Sequence, residues 1–381
     1  RVAIIKNKAI QRGMNLPDPV LQYIAENITS NVRQIEGTVN KILAFQELMG
    51  ESVDVDTVTR AVRDMFKDKA DFLPSPDIII DDGASFARLA SLERPELTAN
   101  LIGVAEETTS GVRAFQQMQE AGALTYPVVA VNDSVLKTGF DNAHGTGETC
   151  VTTMQRILGE HAFDGKNVTV IGYGPVGQGF ARRIRALGAE VTICDIDPVA
   201  SLKAVFDGFA AQDIDEALPC ADMVVSATGV RHTVTLEHMR AMHEGAALAV
   251  IGGIANEIAL DEVSDFTPQV NRDTVQLNVP DGPTLTLIAD GDGVNYTVGG
   301  GNPIEIMDLS FAVQASAVAY LLEHRGTLDH TLIRLDAATD QRIAASALKA
   351  RGYRASHAVE DNGYNWRLTR FAENDRENAD R

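Results

Sequence analysis

The run from Asn167 to Asp197, "NVTVIGYGPVGQGFARRIRALGAEVTICDID", restricts the possible folds more than any other part of the chain. A short run rich in β-branched residues leads into Gly172, Gly174 and Gly177, an amphipathic helix follows, and a second such run ends at Asp195. Strand, glycine turn, helix and strand within one short unit predict a βαβ crossover, and hence a parallel sheet covered by helices. Glycines at that spacing allow a tight turn and let the backbone approach a pyrophosphate, which lies at the positive end of the following helix. Asp195 comes about 20 residues after the glycines, where a carboxylate can accept hydrogen bonds from both ribose hydroxyls and repels a 2′-phosphate. NAD is therefore expected rather than NADP. A glycine-rich turn with no ligand is the plain alternative, and the accompanying strand, helix and acid weigh against it.

The 381 residues suffice for two domains with sizeable cores, and 45% hydrophobic content is that of an ordinary globular chain. No apolar run of the roughly 20 residues that cross a bilayer and no signal-peptide pattern stand out, so a cytoplasmic protein is expected. Cys150, Cys194 and Cys220 lack the grouping of a zinc site and are too few for a disulfide framework, so no metal is expected. The net charge of −20 is uneven: residues 1–70 hold 10 Lys/Arg against 9 Asp/Glu, and the remainder 23 against 44. So acidic a body repels nucleic-acid phosphates and favours small-molecule chemistry.

Residues 1–70 read as an all-helical module, with apolar residues at helical spacing and caps such as Asp18 and Asp54. The stretch "IAENITSNVRQIEGTVNKILAF" resembles the lid subdomain of the AAA+ replication initiator DnaA. That resemblance implies that Arg33 reaches nucleotide phosphates. No G-x-x-x-x-G-K-[ST] loop occurs in the chain, so the module is read as a detached lid without ATP turnover, with a docking module as the alternative. The join lies near "FKDKADFLPSPD", beyond which short apolar strands alternate with amphipathic helices. The last stretch, from "ASHAVEDNGY" on, is polar enough for a frayed tail.

In "VNDSVLKTGFDN", Lys137 stands four residues before Asp141, with Asn142 next. By spacing alone this is a helical ion pair on the surface. Beside it stand "IIIDDGASFARLASLERPEL" and "IGVAEETTSGV", and later "VVSATG", "LIADGDGVNYTVGGGNP" and "IMDLSFAVQASAVAYL". Taken in order with the glycine loop, these resemble the S-adenosylhomocysteine hydrolase family, from about Phe72 to about Leu322. The resemblance implies a tightly held NAD, oxidation of a nucleoside 3′-hydroxyl, elimination of the 5′ thiol, addition of water, and reduction of the ketone. Residue by residue it implies that Lys137 and Asp141 handle the 3′-hydroxyl proton, that Asn142 orients them, that Glu107 holds a ribose hydroxyl and that Asp82 lies near the 5′ carbon. Thr108, Thr109, Ser110, Thr228 and Asn295 match cofactor-contacting positions. A lysine in a dry pocket beside a carboxylate is a plausible proton relay.

Departures from the family pattern fall on one half of that chemistry. Thr146 stands for a cysteine, Gly253 for the histidine of I-G-H, and Asn302 for the histidine of G-H-P. The family's first substrate segment and its C-terminal Lys and Tyr tail are not evident. His144 is the nearby imidazole that could substitute as acid or base, and His232, His238 and His243 are given no role. The expected fold is α/β: a Rossmann-type doubly wound domain over 144–301, a partial α/β substrate domain over 71–143 and 302–325, the helical module before them and an extension over 326–381. The expected function is an NAD-dependent, adenosylhomocysteinase-like enzyme acting by oxidation at a nucleoside 3′-hydroxyl, with hydrolysis in doubt, on a small nucleoside or sugar and as a homo-oligomer. The alternatives are an NAD-dependent oxidoreductase or epimerase of a nucleoside or sugar hydroxyl, and a non-catalytic NAD-binding interaction protein.

Overall fold

The computed structural model describes residues 76–254, 256–264, 266–267 and 272–357, with isolated positions between 5 and 58. The chain divides into two units, Arg1–Ser75 and Pro76–Arg381. In the first unit the described helical positions Ile5, Ala9, Val20, Leu21, Ile24, Val39, Ile42 and Val58 are buried together in one apolar cluster. Steps of three and four, as from Ile5 to Ala9 and from Val39 to Ile42, bring apolar side chains to one helix face. Asp18, Arg33, Asp54 and the C-terminal stretch from 358 lie outside the described residues.

The second unit holds two sheets. The smaller has the order β1 (Ile78–Asp81), β2 (Gly103–Glu106), β3 (Val128–Ala130) and β11 (Leu332–Ile333), all parallel. In register, Asp81 faces Glu106, so the loops carrying Asp82 and Glu107 leave their strands at the same end of the sheet. The larger sheet has the order β6 (Ala210–Ala211), β5 (Glu190–Cys194), β4 (Asn167–Ile171), β7 (Met223–Ser226), β8 (Ala247–Val250), β10 (Thr284–Ile288) and β9 (Thr274–Asn278). Six of these strands are parallel in the doubly wound order, and β9 adds an antiparallel edge. Strands β2, β7 and β8 are buried at every position, as expected where helices cover both faces. Val168, Val170, Val225 and Ala249 serve the core on one face, and Ile171, Val224, Leu248 and Val250 the core on the other.

Two expectations change. Helix Ile304–Glu323 is long and apolar enough to cross a bilayer by length and composition, although no such run stood out in the sequence. Its Val313, Ala317 and Leu321 pack with Ile102 and with Ala105 and Val129 of the small sheet, so one face of the helix lies on that sheet. Gly103 permits that packing, since a Cβ there would lie 2.5 Å from Leu321. The other change is at residues 328–344. Leu328, Ile333, Leu335, Ile343 and Ala344 pack against the same cluster and β11 pairs with β3, so the small sheet extends past residue 325.

Candidate active site

The order of the large sheet reverses at β4, between β5 and β7, and ligands of such sheets bind outside the carboxyl ends of the strands at that point. The three glycines there do separate jobs. Gly172 takes φ +95°, which an L side chain rarely adopts. At Gly177 a Cβ would lie 2.0 Å from the carbonyl oxygen of Gly172, so only glycine lets the helix Pro175–Ala186 start so close to β4. At Gly174 a Cβ would meet nothing within 4 Å, which leaves the backbone open to a ligand beside the helix N-terminus. Asp195, half-buried at the end of β5, turns its carboxylate to this loop and accepts from the Tyr173 amide at 2.6 Å. Thr228, after β7, is half-buried with its hydroxyl on Thr233 and Glu257, and Asn295 is buried beside Asn302. These residues fit a dinucleotide with free ribose hydroxyls.

The second group rests on an unusual element. Lys137–Thr146 is a π-helix, a rare conformation frequent at functional sites. Its hydrogen bonds run from i to i+5, so both the fourth and the fifth residue after Lys137 come beneath its side chain. Lys137 Nζ is 2.7 Å from Asp141 Oδ2 and donates at 2.7 Å to Asn142 Oδ1, and all three residues are buried. The surface ion pair suggested by spacing is thereby excluded. Glu107 Oε1 lies 4.0 Å from the same Nζ and has no hydrogen-bond partner, while Oε2 accepts from Gln314 Nε2 at 2.6 Å. Burial raises the pKa of the Glu107 carboxyl, and the Lys137 charge and the Gln314 amide oppose that rise.

The helix that begins at the glycine loop also fixes the π-helix. A Cβ at Gly179 would lie 2.0 Å from the Ala143 carbonyl oxygen, and one at Gly147 would lie 2.9 Å from the Gly179 carbonyl carbon. Arg183 Nη1 donates to Ala143 O at 3.0 Å. The dinucleotide loop and the Lys137 cluster are therefore held in register by one close backbone crossing.

Asn302 is the hub of this site. Its amide nitrogen donates to Asp141 Oδ1 and, at 3.1 Å, to Thr146 Oγ1, while its oxygen accepts from Thr149 Oγ1 at 2.9 Å and Asn295 Nδ2 at 3.1 Å. Gly253 has φ +121° and open space where a side chain would point. His144 is exposed, with Nδ1 3.2 Å from Arg183 Nη2. Asp82 is exposed, yet near enough for its charge to raise the Glu107 pKa further. Among the cofactor candidates beside the Lys137 cluster, the Thr108 amide bonds Glu106, exposed Thr109 donates to Asn132 at 3.1 Å, and Ser110 is half-buried.

Among the described residues, three buried carboxylates escaped the sequence reading: Asp81, which accepts from the Ala87 amide at 2.8 Å, Glu106 and Glu257. Glu106 accepts from the amides of Gly83, Ala84 and Thr108, each at 2.8 Å, and so ties the loops after β1 and β2 together. Glu257 accepts from Ser226 Oγ at 2.5 Å and from the Gly253 amide at 3.0 Å, joining the ends of β7 and β8. An acid placed at the carboxyl end of a predicted strand was the available signal for Glu106. Glu257 follows an irregular loop and carried none.

Fold and crevice define a dinucleotide-binding α/β enzyme of the doubly wound class. Residues 142–301 match the family model described as "S-adenosyl-L-homocysteine hydrolase, NAD binding domain". The adenosylhomocysteinase of Thermotoga maritima is 38% identical over 288 residues, which cover 75% of this chain and 71% of that one. That of Aeropyrum pernix is 39% identical over 75% and 69% of the two chains, and an S-inosyl-L-homocysteine hydrolase of Methanopyrus kandleri 37% over 73% and 66%. The chain belongs to the adenosylhomocysteinase family, as an enzyme with NAD as cofactor.

Proposed function

We propose that this enzyme oxidises the 3′-hydroxyl of a nucleoside and that the hydrolytic half of its relatives' chemistry is slow or lost. The observation that carries the reading is the buried cluster of Lys137, Asp141 and Asn142 facing the unpartnered Oε1 of Glu107. When bound, NAD would supply the acceptor for a hydride from the sugar carbon and, reduced, the source for its return. Lys137 Nζ, oriented by Asn142, takes the hydroxyl proton as it passes one of its own to the Asp141 carboxylate, and Glu107 Oε1 accepts a hydrogen bond from a sugar hydroxyl. Gly172, Gly174 and Gly177 hold the pyrophosphate and Asp195 the ribose, with Thr108, Thr109, Ser110, Thr228 and Asn295 as further cofactor contacts and Asp82 toward the 5′ carbon. The substrate groups come from 71–143 with 302–325, and the cofactor groups from 144–301 together with Thr108, Thr109 and Ser110.

Elimination and hydration at the 5′ carbon require an acid and a base near that carbon. Asn302 spends its amide on Asp141, Thr146, Thr149 and Asn295, and Gly253 has no side chain. Neither can shuttle a proton. His144, exposed and bonded to Arg183, is a poor replacement. The same observation favours the second reading, an oxidoreductase or epimerase acting on a nucleoside or sugar hydroxyl. A non-catalytic role is disfavoured, because burying a lysine and two carboxylates is costly without a use for them. Residues 1–70, with their DnaA lid resemblance, take no part in this chemistry.

The test is to mix purified protein with adenosine and follow absorbance of the reduced nicotinamide. Wild type should show reduction, and Lys137→Ala and Asp141→Ala should each slow it by about 10²- to 10⁴-fold, the worth of a positioned proton relay. Undiminished reduction in both variants overturns the reading.

A further inference from the structure

We propose that Gln314 is a positioning residue that selects which oxygen of Glu107 meets the sugar. This deepens the proposed function and rests on it. Gln314 lies within the helix Ile304–Glu323, far in sequence from Glu107, and its Nε2 donates to Glu107 Oε2 at 2.6 Å. That bond leaves Oε1 buried without a partner. The nearest cation, Lys137 Nζ, is 4.0 Å away, beyond hydrogen-bond length, and is engaged by Asp141 and Asn142. A buried carboxylate oxygen left without a donor is costly, so a ligand hydroxyl placed there is bound firmly.

The amide suits the task because it is a donor without charge. It holds Oε2 and lets Lys137 stay with Asp141 as the proton relay. A cation at position 314 would compete with Lys137 for Glu107. With no donor there, the carboxylate is free to turn toward Lys137 and draw it from Asp141. Gln314 therefore acts through Glu107, and its loss should fall on nucleoside affinity first.

The experiment uses the full chain loaded with NAD, adenosine as the probe, binding by calorimetry, and NAD content by mass spectrometry of the released cofactor. Gln314→Leu should raise the Kd for adenosine about 10- to 100-fold, the worth of a hydrogen bond to a charged group, with NAD content unchanged. Gln314→Glu keeps the shape and removes the donor at alkaline pH, where two carboxylates face each other. The pair then shares one proton as pH falls, with Lys137, Asp141 and Asp82 as the other charges around Glu107. Its adenosine affinity should be weak at pH 8 and recover toward pH 6, a recovery the wild type does not show. A bulk packing role predicts weak binding of Gln314→Glu at every pH or loss of NAD from both variants, and either result overturns the proposal. Wild-type affinity in both variants overturns it as well. If wild-type protein fails to bind adenosine, the nucleoside reading itself falls and this inference with it.

Discussion

Adjacent glutamates in "AEETT" have opposite uses. Glu107 leaves one oxygen without a hydrogen-bond partner, whereas Glu106 spends both on backbone amides and binds two loops together. Burial raises the Glu106 pKa to about 7, against the three amides that lower it. An acid whose folded pKa exceeds its unfolded value binds extra proton in the fold between the two. Its contribution is fully present below the unfolded value of 4.5 and is lost as pH rises through about 7. Urea denaturation of wild type and Glu106→Gln across pH 4 to 8 should therefore show the stability difference moving against wild type by up to about 3 kcal/mol. A difference that stays flat with pH contradicts this. At this scale the sequence was informative where a motif named the residue, as for Lys137, Asp141, Glu107 and Asp195. It was silent on Gln314 and Glu257, whose partners stand 207 and 31 residues away in the chain.

Among the elements, the glycine loop was legible because its glycines stand at the spacing of a strand-to-helix turn, with steric demands at Gly172 and Gly177 and open space at Gly174. Those demands differ, and so should the effects of alanine. A Cβ at Gly177 runs into the Gly172 carbonyl, so Gly177→Ala should cost about 1–3 kcal/mol of stability and weaken NAD as well. Gly174→Ala has open space and an ordinary φ, so its stability loss should stay below about 1 kcal/mol while NAD binding falls sharply. Thermal melts with NAD titration check both, and equal stability losses contradict the assignment. The π-helix was not legible. Spacing of four suggested an ordinary turn, and only the wider turn explains why Asn142 joins Asp141 under Lys137. The edge strand β9, antiparallel to its neighbour, also lay outside the parallel pattern read from the sequence.

For the whole molecule, alternation of strands and helices carried the two α/β sheets, and the carboxylates and glycines then fell at the strand ends where such folds bind ligands. The strand that extends the small sheet past residue 325 was not legible, because β11 has only two residues, too few to give a period, and joins β3 from 204 positions away. The N-terminal unit has its own core and no G-x-x-x-x-G-K-[ST] loop occurs in the sequence, so Arg33→Ala should leave adenosine-dependent NAD reduction unchanged. A large loss would give that unit a part in the reaction. The central claim is that oxidation at the sugar survives where hydrolysis does not. Its most direct test is a rapid-mixing measurement on NAD-loaded protein with adenosylhomocysteine, following reduced nicotinamide and released homocysteine together. Reduction within the first turnover, with homocysteine slow or absent, is the result this account predicts; rapid homocysteine release contradicts it.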